Sequence, residues 1–362
     1  MIVAISPFSD SEASGHSLLD DMFYFEYLLN IEEPFRFYVP QLSAQRLEAR
    51  FPNASNHIIV VQPYIPRGWG HLRFARQLKI GAGSTVIFFG YLERLVLVWY
   101  LLNFWRAFSL LLVATNNIAA GRVDSYRAQL KFFFRAIRGK LKRIVLHTEH
   151  EVRLLATLNE DLRELSYVKR HHLMIPISRT SNKSIGEKIT ISFFGPSKHD
   201  KPIEPLLHLI ESDNTGRFHY KIHNQSEADV LAKMRLKRLP DNVSVIEAWR
   251  DYDEHLESCA ASDIIFMSHT RSFEGKLSGN LCDCVALGVP FICAAMEPML
   301  TLHKKYGELG YLGEFDKPRW AERLLNLITW EDLLVKRSAL QGMAGDYSLK
   351  RIQADLNAAL CL

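Results

Sequence analysis

Apolar residues along this chain gather in short runs separated by polar stretches with helical spacing. In the first half, IVAIS (2–6), PFRFYV (34–39), HIIVVQ (57–62), TVIFFG (85–90), SLLLVAT (109–115) and RIVLHTE (143–149) read as buried strands. A helix is predicted near 16–29, with helical stretches between most of the other strands. Residues 179–188, RTSNKSIGEK, carry no apolar period and read as a linker. The pattern then restarts with KITISFF (188–194), FHYKIHN (218–224), VSVIEA (243–248), DIIFMS (263–268) and PFICAA (290–295). Strands apolar on both faces and alternating with helices are parallel strands joined by crossovers.

The predicted fold is therefore α/β, with two doubly wound Rossmann-like domains at 1–178 and 189–345. A last helix in 346–362 can pack on either domain. Two such domains in tandem would set the carboxyl ends of both sheets around a shared central cleft, where ligands of this architecture bind.

Composition changes this picture little. At 362 residues the chain exceeds what one core usually organises, and 48% hydrophobic residues suffice for two. A net charge of +4 does not indicate a nucleic-acid binder. The N-terminus, MIVAISPFSDSEAS, lacks the basic start and apolar core of a secretory signal. Five cysteines, an odd number, read as reduced core thiols of a cytoplasmic protein, with no metal site expected. His147 and His150 in LHTEHE read as loop and cap residues.

Two other segments bear on a membrane. Residues 95–115, LVLVWYLLNFWRAFSLLLVAT, are interrupted by Asn103 and Arg106 and read as a helix to about Phe108 followed by a strand. Residues 127–143, RAQLKFFFRAIRGKLKR, carry seven Lys or Arg and no acid. As a helix this segment would show cations around an apolar face of Phe132, Phe133, Phe134 and Ile137. That face would lie on an anionic membrane surface, making the protein peripheral on the inner leaflet, or else face the core.

Candidate chemistry sits in two loops of the second half. SFEGKLSGNLCDCVALGVPFI (272–292) leads from a polar loop into a short apolar helix. A helix start exposes unpaired N–H groups and the positive end of the dipole, which suits an anion. Ser278 and Gly279 would let backbone approach a phosphate, Lys276 adds charge, and Asp283 lies one turn in, where a carboxylate can accept from ribose hydroxyls. A tight Gly turn with a solvated lysine is the plainer reading.

ITISFFGPSKHDKPIEPLLHLIE (189–211) runs from a strand through Gly195 into a helix expected to hold Pro202 in its first turn. Lys198, His199 and Lys201 crowd that start, where cations oppose the dipole unless an anion joins them. Together the two loops suggest a nucleotide diphosphate. No G-x-G-x-x-G follows the first strand, only PFSDSEASG, which argues against a dinucleotide dehydrogenase.

These stretches, with LPDNVSVIEAWRDYDEHLESCAASDIIFMSH between them, resemble the GT-B glycosyltransferases, in particular their large retaining branch. The likeness spans 188–300 and extends more loosely over the first half. It implies transfer of a sugar from a nucleotide diphosphate sugar to a saccharide or lipid-linked acceptor in surface polysaccharide or glycolipid assembly. No cofactor is implied beyond the donor. Lys201 falls on the family's phosphate-binding lysine.

The departures matter too. The branch carries a spaced pair of glutamates; Asp283 falls on the second, but the first position holds Gly275, with Glu274 one residue early. The arginine expected after the glycine is Pro196, so Lys198 would substitute. The expected N-domain histidine finds only Asn116 and Asn117. This suggests a divergent, inverting branch, with His16 after Gly15 as general base and Asp10 or Glu12 as alternatives. An epimerase or hydrolase of sugar nucleotides, or a non-catalytic binding protein, fits the same scaffold.

Overall fold

The computed structural model describes residues 1–7, 15–62, 69–114, 118–169, 187–247, 252–275 and 277–360, apart from the side chains of 15–19, 252, 253 and 349. The chain divides into two compact units, Met1–His172 with Leu349–Leu362, and Leu173–Ser348. Asp10, Glu12, Asn116, Asn117, Lys276 and the linker proper lie outside the described residues.

The first unit runs β1 (Ile2–Ile5), α1 (Gly15–Leu29), β2 (Phe35–Pro40), α2 (Gln41–Arg50), β3 (Ile58–Val61), α3 (Gly70–Ala75), β4 (Ser84–Phe89) and α4 (Glu93–Asn103). It continues with β5 (Phe108–Val113), α5 (Ala120–Ile137), β6 (Leu141–Leu146), α6 (Glu149–Ala156), α7 (Asp161–Leu165) and β7 (Ser166–Val168). All seven strands are parallel, in the order β3-β2-β1-β4-β5-β6-β7.

Strand alternation divides the core into two layers. Val3, Ile5, Val86, Phe88 and Leu112 face one side with Trp99 of α4 and Phe133 of α5. Ile2, Ala4, Ile87, Phe89 and Val113 face the other with Phe25 of α1. A covered sheet needs apolar residues at consecutive positions, which is why these strands read as unbroken runs.

The second unit runs β8 (Ile189–Phe193), α8 (Glu204–Glu211), β9 (Phe218–His223), α9 (Glu227–Met234), β10 (Val243–Ile246), α10 (Tyr252–Ala260), β11 (Ile264–Met267) and α11 (Gly279–Leu287). Then come β12 (Phe291–Ala294), α12 (Met299–Tyr306), β13 (Tyr311–Gly313), α13 (Trp320–Leu327) and α14 (Trp330–Asp346). Its six parallel strands are ordered β10-β9-β8-β11-β12-β13. The last helix, α15 (Leu349–Leu360), belongs to the first unit, where Leu356, Ala359 and Leu360 enter the core beside Ile2 and Phe37. There Tyr27 Oη donates to Asn357 Oδ1 at 2.7 Å.

Three sequence expectations need correction. The basic segment 127–143 is helical only to Ile137, and β6 begins at Leu141. Phe133, Phe134 and Ile137 are buried against the sheet, so of the two readings of this stripe the core-facing one holds and the membrane-facing one does not; of its aromatics only Phe132 is exposed. The helix after Gly195 starts at Glu204, with Pro205 in its first turn rather than Pro202. Residues 198–201 instead fold back on themselves, Lys198 and Lys201 exchanging backbone hydrogen bonds at 3.0 Å each way. Segment 95–115 does divide into helix and strand, and among the described residues no helix is long and apolar enough to cross a membrane.

Candidate functional site

In the second unit the chain starts at β8, builds β9 and β10 on one side, then returns to build β11, β12 and β13 on the other. The loops leaving β8 and β11 therefore diverge at a topological switch point, where open α/β sheets leave a crevice at their carboxyl edge. The two loops are tied together. Thr270 N–H donates to Asp200 O at 3.0 Å, and the Ser268 hydroxyl donates to the Pro202 carbonyl. Gly275 N–H reaches Glu297 O at 3.0 Å, joining the loop that follows β12.

The loop after β8 turns at Gly195, whose φ of +88° lies in the region that penalises a side chain. A Cβ there would also sit 3.5 Å from Lys201 Nζ. Gln225 Nε2 holds the Gly195 carbonyl at 2.9 Å, and the Ser197 hydroxyl accepts from Ile203 N–H at 3.1 Å. The hairpin of 198–201 turns Lys201 inward. Its Nζ donates to the Phe194 carbonyl at 2.5 Å and lies 5.2 Å from the centre of the Phe193 ring. Lys198, the other leg of the hairpin, stays exposed.

Burial pulls the Lys201 pKa down to about 8, helped by Lys198 and opposed by Asp200 and Asp283. Keeping that ammonium charged at neutral pH costs about 3 kcal/mol relative to water. An ammonium has three N–H donors, and Phe194 takes one. What remains is a partly desolvated cation with donors to spare.

Asp283 stands on α11 facing the same cluster. It is 1% exposed, and its Oδ2 lies 3.1 Å from His255 Nε2. Cys259, one turn along α10 from His255, places its Sγ 3.5 Å from the same nitrogen. Burial raises the Cys259 thiol well above its usual range, Asp283 adding to the rise, so it is a neutral neighbour. Asp283 is thus engaged with His255 and offsets the charge of Lys201. Phe194 supports this floor by stacking on His223 at 4.4 Å and meeting His255 edge-on at 5.1 Å.

Ser278 occupies the N-cap of α11 without a side-chain cap hydrogen bond, leaving its hydroxyl unspent on the helix. Beside it lies a hollow lined by His269, Phe273, Ser278, Met296, Glu297 and Pro298, with the His269 ring stacked on Phe273 at 3.9 Å.

No family model and no curated sequence matches this chain. Solved structures match along its whole length. HepE of Anabaena, solved in complex with UDP and glucose, superposes with a TM-score of 0.70 over 100% of this chain and 99% of its own, at 12% identity. An alpha,alpha-trehalose-phosphate synthase (UDP-forming) from Burkholderia vietnamiensis gives 0.67 over 99% and 98%, at 10% identity. A glycosyltransferase from Rickettsia africae gives 0.65 over 99% and 97%, at 13% identity.

The fold is GT-B.

Within this GT-B chain, Gly195, Lys201 and Asp283 come together at the carboxyl edge of the second sheet, and Ser278 with Gly279 opens the helix that carries Asp283. Glu274 lies on the loop before that helix, 24% exposed, its Oε2 3.7 Å from Arg271 Nε. Lys276 lies outside the described residues, and His16 falls in the first turn of α1 with its side chain undescribed. Sequence reading missed His255 and Gln225. The His255–Cys259 spacing on one helix was the signal available for the first; nothing local marked the second.

Proposed function

We propose that this protein is a glycosyltransferase that takes a sugar from a nucleoside diphosphate sugar and passes it to a saccharide or lipid-linked acceptor. The observation that carries this reading is the half-buried, partly desolvated Lys201 ammonium, held beneath the Gly195 turn with donors to spare. It sits at the switch point of the sheet, where the α11 helix opens. A diphosphate placed there would receive the ammonium, the backbone N–H groups of the helix start and the Ser278 hydroxyl. Those groups also stabilise the charge that grows on a departing diphosphate, so the binding site doubles as leaving-group catalysis. Three structures of similar fold, all of HepE, were solved with UDP, with UDP and glucose, and with UDP-glucose, which supports a nucleotide-sugar donor.

In this reading Gly195 and Gly279 allow close backbone approach, Lys198 and Lys276 add charge, and Asp283 holds His255 and offsets the charge of Lys201. Glu274 stands by the sugar, and His16 in the first unit takes the proton from the acceptor hydroxyl. A thermal-shift screen of nucleoside diphosphates and their sugars tests the reading. A binder at about 100 times its dissociation constant should add about 2.7 kcal/mol, a shift of several degrees. Absence of any shift across uracil, adenine, guanine and thymine diphosphates would overturn it, as would unchanged affinity in both Lys201→Ala and Ser278→Ala. Release of free sugar or an epimer from donor alone would redirect it to a hydrolase or epimerase.

A further inference from the structure

The first unit presents a second surface, at the opposite, amino-terminal edge of its sheet. Helix α4 ends at Asn103, whose side-chain Nδ2 turns inward to the Trp99 carbonyl at 2.9 Å. The chain then crosses to β5 through Phe104, Trp105, Arg106 and Ala107. Phe104 is 55% exposed and Trp105 64%, their rings edge to face at 5.3 Å, and Leu101 one turn earlier is 57% exposed. Large apolar side chains this bare, three within five residues, need an occupant.

The loop that carries them is fixed. Arg106 N–H bonds Asn103 O at 2.9 Å, Arg106 Nη1 reaches the Ile80 carbonyl at 2.9 Å, and Gly83 N–H reaches Ala107 O at 2.7 Å. Lys140, from the turn between α5 and β6, donates to the Arg106 carbonyl at 3.1 Å and lies over the Phe108 ring at 5.4 Å. These bonds bring the 79–83, 104–107 and 138–142 segments to one edge. Lys79, Arg106, Arg138 and Lys142 are exposed on it.

Charge identifies the occupant. Between Glu93 and Glu149 the chain carries ten Lys or Arg and a single acid, Asp124. That acid lies 3.5 Å from Arg127, and Glu93 pairs with Arg122 at 2.6 Å. Lys131, Arg135, Arg138, Lys140 and Lys142 make no ion pair among the described residues. A protein partner would have to be both strongly acidic and apolar at its centre. An anionic bilayer offers that combination by its nature: phosphate at the surface and hydrocarbon just beneath, with Trp and Phe favoured at the boundary.

We propose that this edge of the first unit, with Leu101, Phe104 and Trp105 set among Arg106, Arg138, Lys140 and Lys142, docks on an anionic lipid surface. The α5 helix does not lie flat on the membrane, because its apolar stripe is core. The α4–β5 loop inserts, and the α5–β6 turn supplies charge. The proposal is independent of the donor site, which belongs to the other unit.

Co-sedimentation of the full chain with vesicles tests it, comparing pure phosphatidylcholine with phosphatidylcholine containing phosphatidylglycerol. Binding is expected to the anionic vesicles only. The double variant Phe104→Ser, Trp105→Ser should weaken it at least tenfold at every salt concentration. Arg138→Gln with Lys142→Gln should weaken it about fivefold per cation at low salt and little at high salt. All four positions are exposed, so melting temperatures should not move, and the charge variants report even if the aromatic pair folds poorly. No sedimentation with anionic vesicles, or sedimentation that ignores both sets of variants, would overturn the proposal. So would an association between copies of the chain that the Ser variants abolish.

Discussion

Glu151 in the first unit, fully buried, and Lys201 in the second, half-buried, are both ionisable side chains just past the carboxyl end of a strand, and their surroundings treat them in opposite ways. Glu151 opens α6, where its Oε2 accepts from His147 N–H at 2.8 Å, Thr148 N–H at 2.9 Å and the Thr148 hydroxyl at 3.3 Å. It closes a capping box with Thr148, and its acceptor capacity is spent on its own turn. Burial still pushes its pKa up to about 7, against those hydrogen bonds and Lys169. Lys201 has one carbonyl partner, Phe194, and donors left over. A buried carboxylate whose hydrogen bonds all come from its own turn is architecture. An ammonium left with unfilled donors is where the proposed function seats an anion.

Replacing the two residues should separate these roles. Lys201→Ala should cost nucleoside diphosphate affinity about 30-fold or more by titration calorimetry, the scale of a charge-assisted hydrogen bond and its Coulomb partner. Its melting temperature should hold or rise, since a desolvated charge is removed. Glu151→Ala should do the reverse, lowering stability by about 2 kcal/mol through lost caps while leaving nucleotide affinity untouched. A fall in nucleotide affinity with Glu151→Ala would break the comparison.

Gly195→Ala sharpens the picture further. At φ +88° the new methyl strains the backbone by about 1–2 kcal/mol, and binding should weaken roughly tenfold as the turn over Lys201 shifts.

The smallest effects are in pH. The folded Lys201 has its pKa drawn down to about 8, so the unfolded chain binds more protons between about 8 and its ordinary value near 10.5. Stability of the free protein from this group rises with pH across that window. A bound diphosphate reverses the preference by holding the ammonium charged. Affinity should be full below pH 8 and decline above it, with proton uptake on binding visible as a buffer-dependent calorimetric enthalpy. Glu151 runs the other way: with its folded pKa raised to about 7, the native state holds the extra proton, so stability falls as pH rises from about 4.5 to 7. Glu151→Gln should flatten that slope and keep the caps.

Much of the scaffold was legible because burial on both faces writes itself as consecutive apolar residues; IVAI and TVIFF could be read no other way. The edge strands β7 and β13 were not, since three residues such as Tyr311–Gly313 are too few to show a period. Gly195 and Lys201 were singled out from the conflict between a cation cluster and an expected helix start. The structure resolves the conflict partly by moving the start to Glu204. The burial of Phe133 and Phe134 depended on the phase of α5 against the sheet, and a run of three aromatics cannot declare its own phase. The His255–Asp283 contact joins residues 28 apart on two helices, information carried by tertiary packing alone.

The return of α15 has a consequence for how the protein comes into being. During synthesis, Met1–His172 emerge first, yet the layer holding Ile2, Phe37 and Val145 stays without Leu356, Ala359 and Leu360 until the second unit has been made. The half translated earliest is therefore the half completed last, and while Leu173–Ser348 are made it must survive with an apolar flank uncovered. A chain ending before residue 349 would hold a finished second unit and an open first one, a natural substrate for a chaperone.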